Sequence, residues 1–427
     1  MGSKSILIKG GQVIDPSRDS SQVKDILIED GVVKEVSNSI SSSAEIVIEA
    51  KGKIVMPGLV DMHVHLREPG REDKETVLSG TQAALSGGVT SVLAMANTDP
   101  ATDSVEHLAV LNKIIRQTAV ADVFVAAAMT KAREGWEITD FSALRKRGAI
   151  AVSDDGSSVD DPVVMKKILK AAKKENLLVI CHCEDISLSR GGSVNLGFTS
   201  TRLGLRGISR ESEYQRVARD IELAKEIGAR IHIAHVSCRE SVEIIAKAKK
   251  EGVAVTAETA PHYFVLTDQA TRSFDTNMKM NPPLRSAEDV ESIRLGLSDG
   301  TIDVIASDHA PHTANEKDIE FDRAAFGVIG LETELAVAIT ELVHSGALSW
   351  LDLAKKLSYN PAKIIGIDKG TLRVGASADI IVVSPDQQWL VAKENFRSKS
   401  KNSCFLNKKL KGAVEYTIYR GQLVYQR

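Results

Sequence analysis

Cysteine is scarce in this chain, with four in 427 residues: Cys181, Cys183, Cys238 and Cys404. So few, so widely scattered, cannot build the disulfide framework of a small secreted domain, and the Cys181/Cys183 spacing suits a strand rather than a zinc knuckle. A reducing compartment, the cytoplasm, is the expected location. Charge of one sign is also missing, with 54 basic against 57 acidic residues and a formal net charge of −3. Without a dense Lys/Arg block there is no electrostatic footprint for nucleic acid. Long apolar runs are absent too. Met1-Gly2-Ser3-Lys4 leads straight into a strand pattern, with no stretch suited to a signal peptide or membrane span. Position six is Ile6, where a myristoylation signal needs Ser or Thr. What is left is an ordinary globular composition, 43% hydrophobic and 26% charged, that points to small-molecule business. The length allows one large barrel with an appendage or two to three modest domains.

The two ends read as β-structure. Residues 5–15 (SILIKGGQVID), 24–36 (KDILIEDGVVKEV) and 44–58 (AEIVIEAKGKIVMPG) alternate β-rich runs with Gly or Asp turns. Such a sheet needs more strands to be stable, and residues 378–386 (ADIIVVSPD) and 415–427 (EYTIYRGQLVYQR) offer them. A small β-sandwich domain is therefore expected from residues 1–56 plus 367–427. Between them, over 57–366, lie eight apolar runs: 59–66, 88–95, 121–129, 149–155, 177–184, 230–237, 253–263 and 303–312. The intervening stretches, such as 161–176 (DPVVMKKILKAAKKEN), carry the i, i+3, i+4 apolar stripe of amphipathic helices. This is the βα repeat of α/β proteins. A doubly wound open sheet uses the same alternation, but eight repeats favour closure into a (β/α)8 TIM-type barrel.

Most ionisable residues in these runs sit at the C-terminal ends of the strands, where such barrels keep their active sites. His63 and His65 end the first strand, Asp154 and Asp155 the fourth, His182 the fifth, His235 the sixth and Asp308 the eighth. Alternation along a strand points His63 and His65 the same way, so both can serve one metal. A His-x-His pair arises often enough by chance to be only suggestive, and a lone His182 or His235 is more often a satisfied core group. Several histidines with one or two carboxylates suit Zn²⁺, and mixed N/O ligation with open positions is catalytic rather than structural. Cys181 and Cys183 flank His182 and by alternation point away into the barrel wall as small apolar groups. A metal in this mouth would bring the pKa of water towards neutrality and polarise a carbonyl, which makes amide hydrolysis feasible. Asp308, in Ser307-Asp308-His309-Ala310-Pro311-His312, is placed to move the proton to the leaving nitrogen.

The strings DMHVHLREPG (61–70), HCED around His182, NPPLR (281–285), SDHAPH (307–312) and SYNPAKIIG (358–366) resemble the amidohydrolase superfamily, and specifically the class I dihydroorotases. The resemblance runs over nearly the whole chain. It implies a zinc-hydroxide interconversion of N-carbamoyl-L-aspartate and dihydroorotate, a step of pyrimidine synthesis, with one or two Zn²⁺ per subunit. It makes His63, His65, His182 and His235 ligands, and Asp308 both ligand and acid/base. Many relatives bridge their metals with a carboxylated lysine on the fourth strand. AIAVSDDG (149–156) has no lysine, so an Asp must take that place, and the family's Asp-Asp-Gly pattern favours Asp155 over Asp154. Arg67 is a planar fork suited to a carboxylate, and the resemblance gives Arg67, Asn97 and His312 to the substrate carboxylate. It gives Asn281 and the backbone at Phe326-Gly327 to the ring amide, with His65 also at the substrate. Other readings are a hydantoinase, dihydropyrimidinase or allantoinase sharing the ligands, or a non-catalytic scaffold. A homodimer is expected, with aspartate transcarbamoylase a candidate partner. The polar stretch 312–327 reads as a lid or a passive loop.

Overall fold

The computed structural model describes residues 5–427; Met1–Lys4, on which the leader and lipidation readings partly rest, lie outside the described residues. Two eight-stranded sheets carry the fold. The first is built from both chain ends. β1 (Ile6–Asp15), β2 (Ser20–Glu29), β3 (Val32–Ser37), β4 (Ile46–Glu49) and β5 (Ile54–Pro57) come from the start of the chain. β16 (Ile380–Leu390), β17 (Lys409–Tyr419) and β18 (Gln422–Gln426) come from the end. The two groups join where β16 pairs antiparallel with β5, Val382 opposite Val55. Ile and Val at alternate positions fill the core of this sheet, with Ile6, Ile8, Ile26, Ile28, Val55, Ile380 and Val382 all buried.

The second sheet is parallel and follows chain order: β6 (Leu59–Val64), β7 (Val89–Ala94), β8 (Asp122–Ala127), β9 (Ala149–Val152), β10 (Leu178–Cys181), β13 (Ile231–Ile233), β14 (Val255–Thr259) and β15 (Val304–Ile305). A short pair, β11 (Val194–Asn195) and β12 (Gly207–Ile208), lies in the connection after β10. Each of the eight strands of the second sheet lies inside one of the eight apolar runs read from the sequence, whereas β11 and β12 lie outside them. A bridge between Val64 and His309, with the His65 N–H donating to the His309 carbonyl at 2.9 Å, brings the last strand back to the first. The sheet is thus a barrel rather than an open sheet. Val60, Met62, Leu93, Ala126, Leu178, Ile180, Ala234 and Val304 meet in one cluster. Side chains from that many strands can touch only inside a closed barrel. Ala362 and Ile365, on the helix Asn360–Ile365, join that cluster and stop one end.

The outer helices obey local rules. In Pro162–Glu175 the Asp161 carboxylate accepts the Val163 N–H, Pro162 occupies the first turn and left-handed Asn176 ends the helix. Its Val164, Met165, Ile168, Leu169 and Ala172 are buried against the strands. Cys181 and Cys183 belong to the same outer layer, buried and unpaired, as alternation required. Among the described residues no helix is long and apolar enough to cross a membrane.

Candidate active site

The barrel mouth is assembled by departures from regular strand geometry. β6 loses register with β7 between Asp61 and Val64, because the Asp61 carboxylate accepts the His63 N–H at 3.0 Å and also takes the Ser307 hydroxyl. Arg67, His235 and Asp308 have φ of 63°, 35° and 48°. Non-glycine residues enter this left-handed region only when their surroundings hold them there, and such strain collects at functional sites.

His63, His65, Asp155, His182, His235 and Asp308 meet in one buried cluster. Asp155 is its centre: Oδ1 lies 3.3 Å from His63 Nε2, 3.2 Å from His235 Nε2 and 3.5 Å from His182 Nδ1, and Oδ2 lies 3.4 Å from His65 Nε2. Asp308 Oδ1 is 3.4 Å from His65 Nε2 and 3.6 Å from His63 Nε2. Two triads of donor atoms result, His63–His65–Asp155 and Asp155–His182–His235. Asp154 turns the other way, accepting the N–H groups of Met129 (2.7 Å) and Thr130 (3.1 Å) and the Thr130 hydroxyl. Of the adjacent aspartates, only Asp155 faces the histidines.

The electrostatics favour a cation here. Burial works against the His63 imidazolium, but the Asp155 and Glu258 carboxylates outweigh it and hold its pKa well above the ordinary histidine range. Burial likewise raises Asp155, yet His63, His182 and His235 bring it well below the carboxylate range. His63 Nε2 and His235 Nδ1 are buried without a hydrogen-bond partner. An unsatisfied buried nitrogen such as His63 Nε2, facing the Asp155 and Asp308 carboxylates in a mixed N/O set, is what a catalytic divalent ion requires.

Substrate-side candidates line the same mouth. His65 Nδ1 donates to Asn97 Oδ1 at 2.8 Å, which turns Nε2 towards Asp155 and Asp308. Arg67 Nε donates to the Pro311 carbonyl at 3.1 Å and Nη2 lies 3.5 Å from His312 Nε2. Among the described residues its guanidinium forms no ion pair. His312 donates from Nε2 to the Phe326 carbonyl at 2.7 Å and accepts at Nδ1 from Lys74 at 3.3 Å. Burial, with the charges of Arg67 and Lys74, brings its pKa down to about 3, so it is neutral at pH 7. Asn281 Nδ2 donates to Glu184 at 3.0 Å, beside His182. At Gly327 the N–H donates to the Lys279 carbonyl at 3.0 Å and the carbonyl accepts from Lys317 at 2.9 Å. The polar stretch 312–327 is a packed loop with a short helix, Ala314–Lys317, and a buried Phe321.

Several groups here are not apparent from motif spacing. Glu258 accepts from His63 Nδ1 and lies 3.2 Å from His232 Nε2, fixing the ring orientation of His63. Its only signal was a carboxylate inside the apolar run 253–263. Glu75 joins His309 Nε2 (3.3 Å) to Ser398 and Lys399; nothing local marks it.

Comparison with known proteins agrees with this geometry. Residues 52–241 match the dihydro-orotase-like family and residues 245–425 the amidohydrolase family. A protein named dihydroorotase from Elusimicrobium minutum is 54% identical, covering 98% of this chain and 96% of that protein. Another so named, from Caldanaerobacter subterraneus subsp. tengcongensis, is 48% identical over 99% of this chain and 97% of its own length. Among solved structures, an L-hydantoinase (dihydropyrimidinase) from Arthrobacter aurescens superimposes with a TM-score of 0.89 at 27% identity, covering 100% of this chain and 96% of that one. A parallel barrel with four imidazoles and two carboxylates at its mouth, joined to a β-sheet from both chain ends, is an amidohydrolase. Within that class the chain belongs to the dihydroorotase family.

Proposed function

We propose that this protein is a cyclic amidohydrolase that interconverts N-carbamoyl-L-aspartate and dihydroorotate. The observation that carries the reading is Arg67, a guanidinium with no ion-pair partner among the described residues, aimed into the mouth beside the histidine–carboxylate cluster. A half-buried Arg fork without its own carboxylate is a receptor for one on the substrate. Dihydroorotate carries such a carboxylate; hydantoin and allantoin do not.

His63, His65, Asp155, His182, His235 and Asp308 would hold one or two divalent ions, zinc by the chemistry of the donor set, which when bound polarise a carbonyl and acidify water. Arg67, Asn97 and His312 take the substrate carboxylate. Asn281 and the Phe326-Gly327 backbone face the ring amide, with Asn281 exchanging its bond to Glu184. Asp308 stays ionised: burial opposes this, but the adjacent His65 and the charge of His63 prevail. It can therefore accept a proton from the attacking nucleophile and deliver it to the departing ring nitrogen, the reverse holding for cyclisation. Residues 57–366 form the catalytic unit and residues 1–56 with 367–427 the β domain, in a cytoplasmic homodimer with aspartate transcarbamoylase as candidate partner.

A spectrophotometric assay offering dihydroorotate, hydantoin and allantoin tests the assignment. Turnover of dihydroorotate alone is expected, whereas turnover of hydantoin without dihydroorotate would overturn it.

A further inference from the structure

The connection between β16 and β17 does more than join two strands. Residues 391–408 leave the terminal sheet and run along the rim of the barrel mouth, where Ser398, Ser400, Asn402 and Cys404 are buried. The Ser398 hydroxyl and Lys399 N–H donate to Glu75, and the Ser400 hydroxyl donates to the Lys74 carbonyl at 2.7 Å. Asn402 spends its polar groups on one neighbouring loop. Its Oδ1 accepts the His312 N–H (3.2 Å), its Nδ2 donates to the Gly327 carbonyl (3.2 Å), and its own carbonyl accepts the Ile329 N–H (3.0 Å). Only 7% of Asn402 is exposed, so water cannot readily replace these bonds. A single amide, with donor and acceptor side by side, thus fastens together the two limbs of the loop that carries His312 and Phe326-Gly327.

We infer that Asn402 is a positioning residue for substrate recognition, holding the His312 limb against the Phe326-Gly327 limb, so that the terminal β domain sets the wall against which the substrate carboxylate binds. This rests on the reading of that loop as a substrate wall. Removing the amide leaves the buried His312 N–H without its acceptor and the Gly327 carbonyl with only its bond from Lys317, and small displacements of positioning groups weaken binding steeply.

The test compares Asn402→Ala, Asn402→Asp and His312→Ala with the wild-type enzyme, measuring steady-state kinetics on dihydroorotate and metal content by elemental analysis. Asn402→Ala should raise KM about tenfold while kcat stays within about threefold and metal content is unchanged. Asn402→Asp keeps the acceptor for the His312 N–H but loses the donor to Gly327, so its KM should lie between. If Asn402→Ala does not fold, Asn402→Asp with a raised KM and unchanged kcat supports the inference alone. A wild-type KM in the soluble Asn402 variants overturns it, as does a joint fall of kcat and metal content, which marks a merely structural role. If His312→Ala raises KM while Asn402→Ala does not, only the role of Asn402 fails. If His312→Ala also keeps the wild-type KM, the substrate-wall reading fails and the inference with it.

Discussion

Adjacent aspartates with opposite fates show how a single residue is assigned its work. Asp155 faces four imidazoles, whereas Asp154 is spent on the backbone of Met129 and Thr130. Asp155→Ala should therefore lose metal, read by elemental analysis, and activity with it. Asp154→Ala should keep its metal but lower stability by about 1–3 kcal/mol, because it strips buried N–H groups of their acceptor. Metal retained in the first variant, or lost only in the second, would reverse the assignment. Asp308→Asn preserves shape and removes the proton acceptor. Its kcat should fall by about 10²–10⁴-fold with the circular dichroism spectrum unchanged; retained turnover would show that the base lies elsewhere.

Loops at the strand ends have to approach one another closely, and the backbone permits it at few places. Gly70 has φ of 97°, and a Cβ there would lie 1.9 Å from the Asp99 carbonyl oxygen. This contact joins the loop after β6, which carries Arg67, to the loop after β7, which carries Asn97; the Asp99 N–H donates to Pro69 at 3.0 Å. Gly70→Ala is both strained and sterically blocked. It should separate Arg67 from Asn97 and raise KM for dihydroorotate with little change in bound metal. Wild-type kinetics for this variant would mean that the two loops recognise substrate independently.

The barrel and the terminal sheet are tied by charge as well as by apolar surface. Asp122, at the start of β8, meets Lys369 (2.6 Å), the Tyr419 hydroxyl (2.7 Å) and Arg420 (2.5 Å), and Lys369 also pairs with Asp379. Burial would raise the Asp122 pKa, but Lys369, Tyr419 and Arg420 bring it below the usual carboxylate value. A depressed folded pKa gives stability that is fully present above the unfolded value of about 4 and is lost as pH falls through the folded value. Asp122→Asn should therefore lower Tm at pH 7, and its gap from wild type should close as pH drops below about 4. A gap of constant size down to pH 3 would exclude this linkage. At this scale the amino-acid sequence by itself determined the repeating elements, the pairing of the chain ends and the histidines and carboxylates at strand ends. Those follow from periodicity and local composition, which act over a few residues. The tertiary structure alone decided which of Asp154 and Asp155 faces the histidines, that Glu258 orients His63, and that Asn402 reaches the rim from 90 positions beyond His312. Such contacts depend on where strands and loops are brought together in space, and local pattern holds no record of that distance.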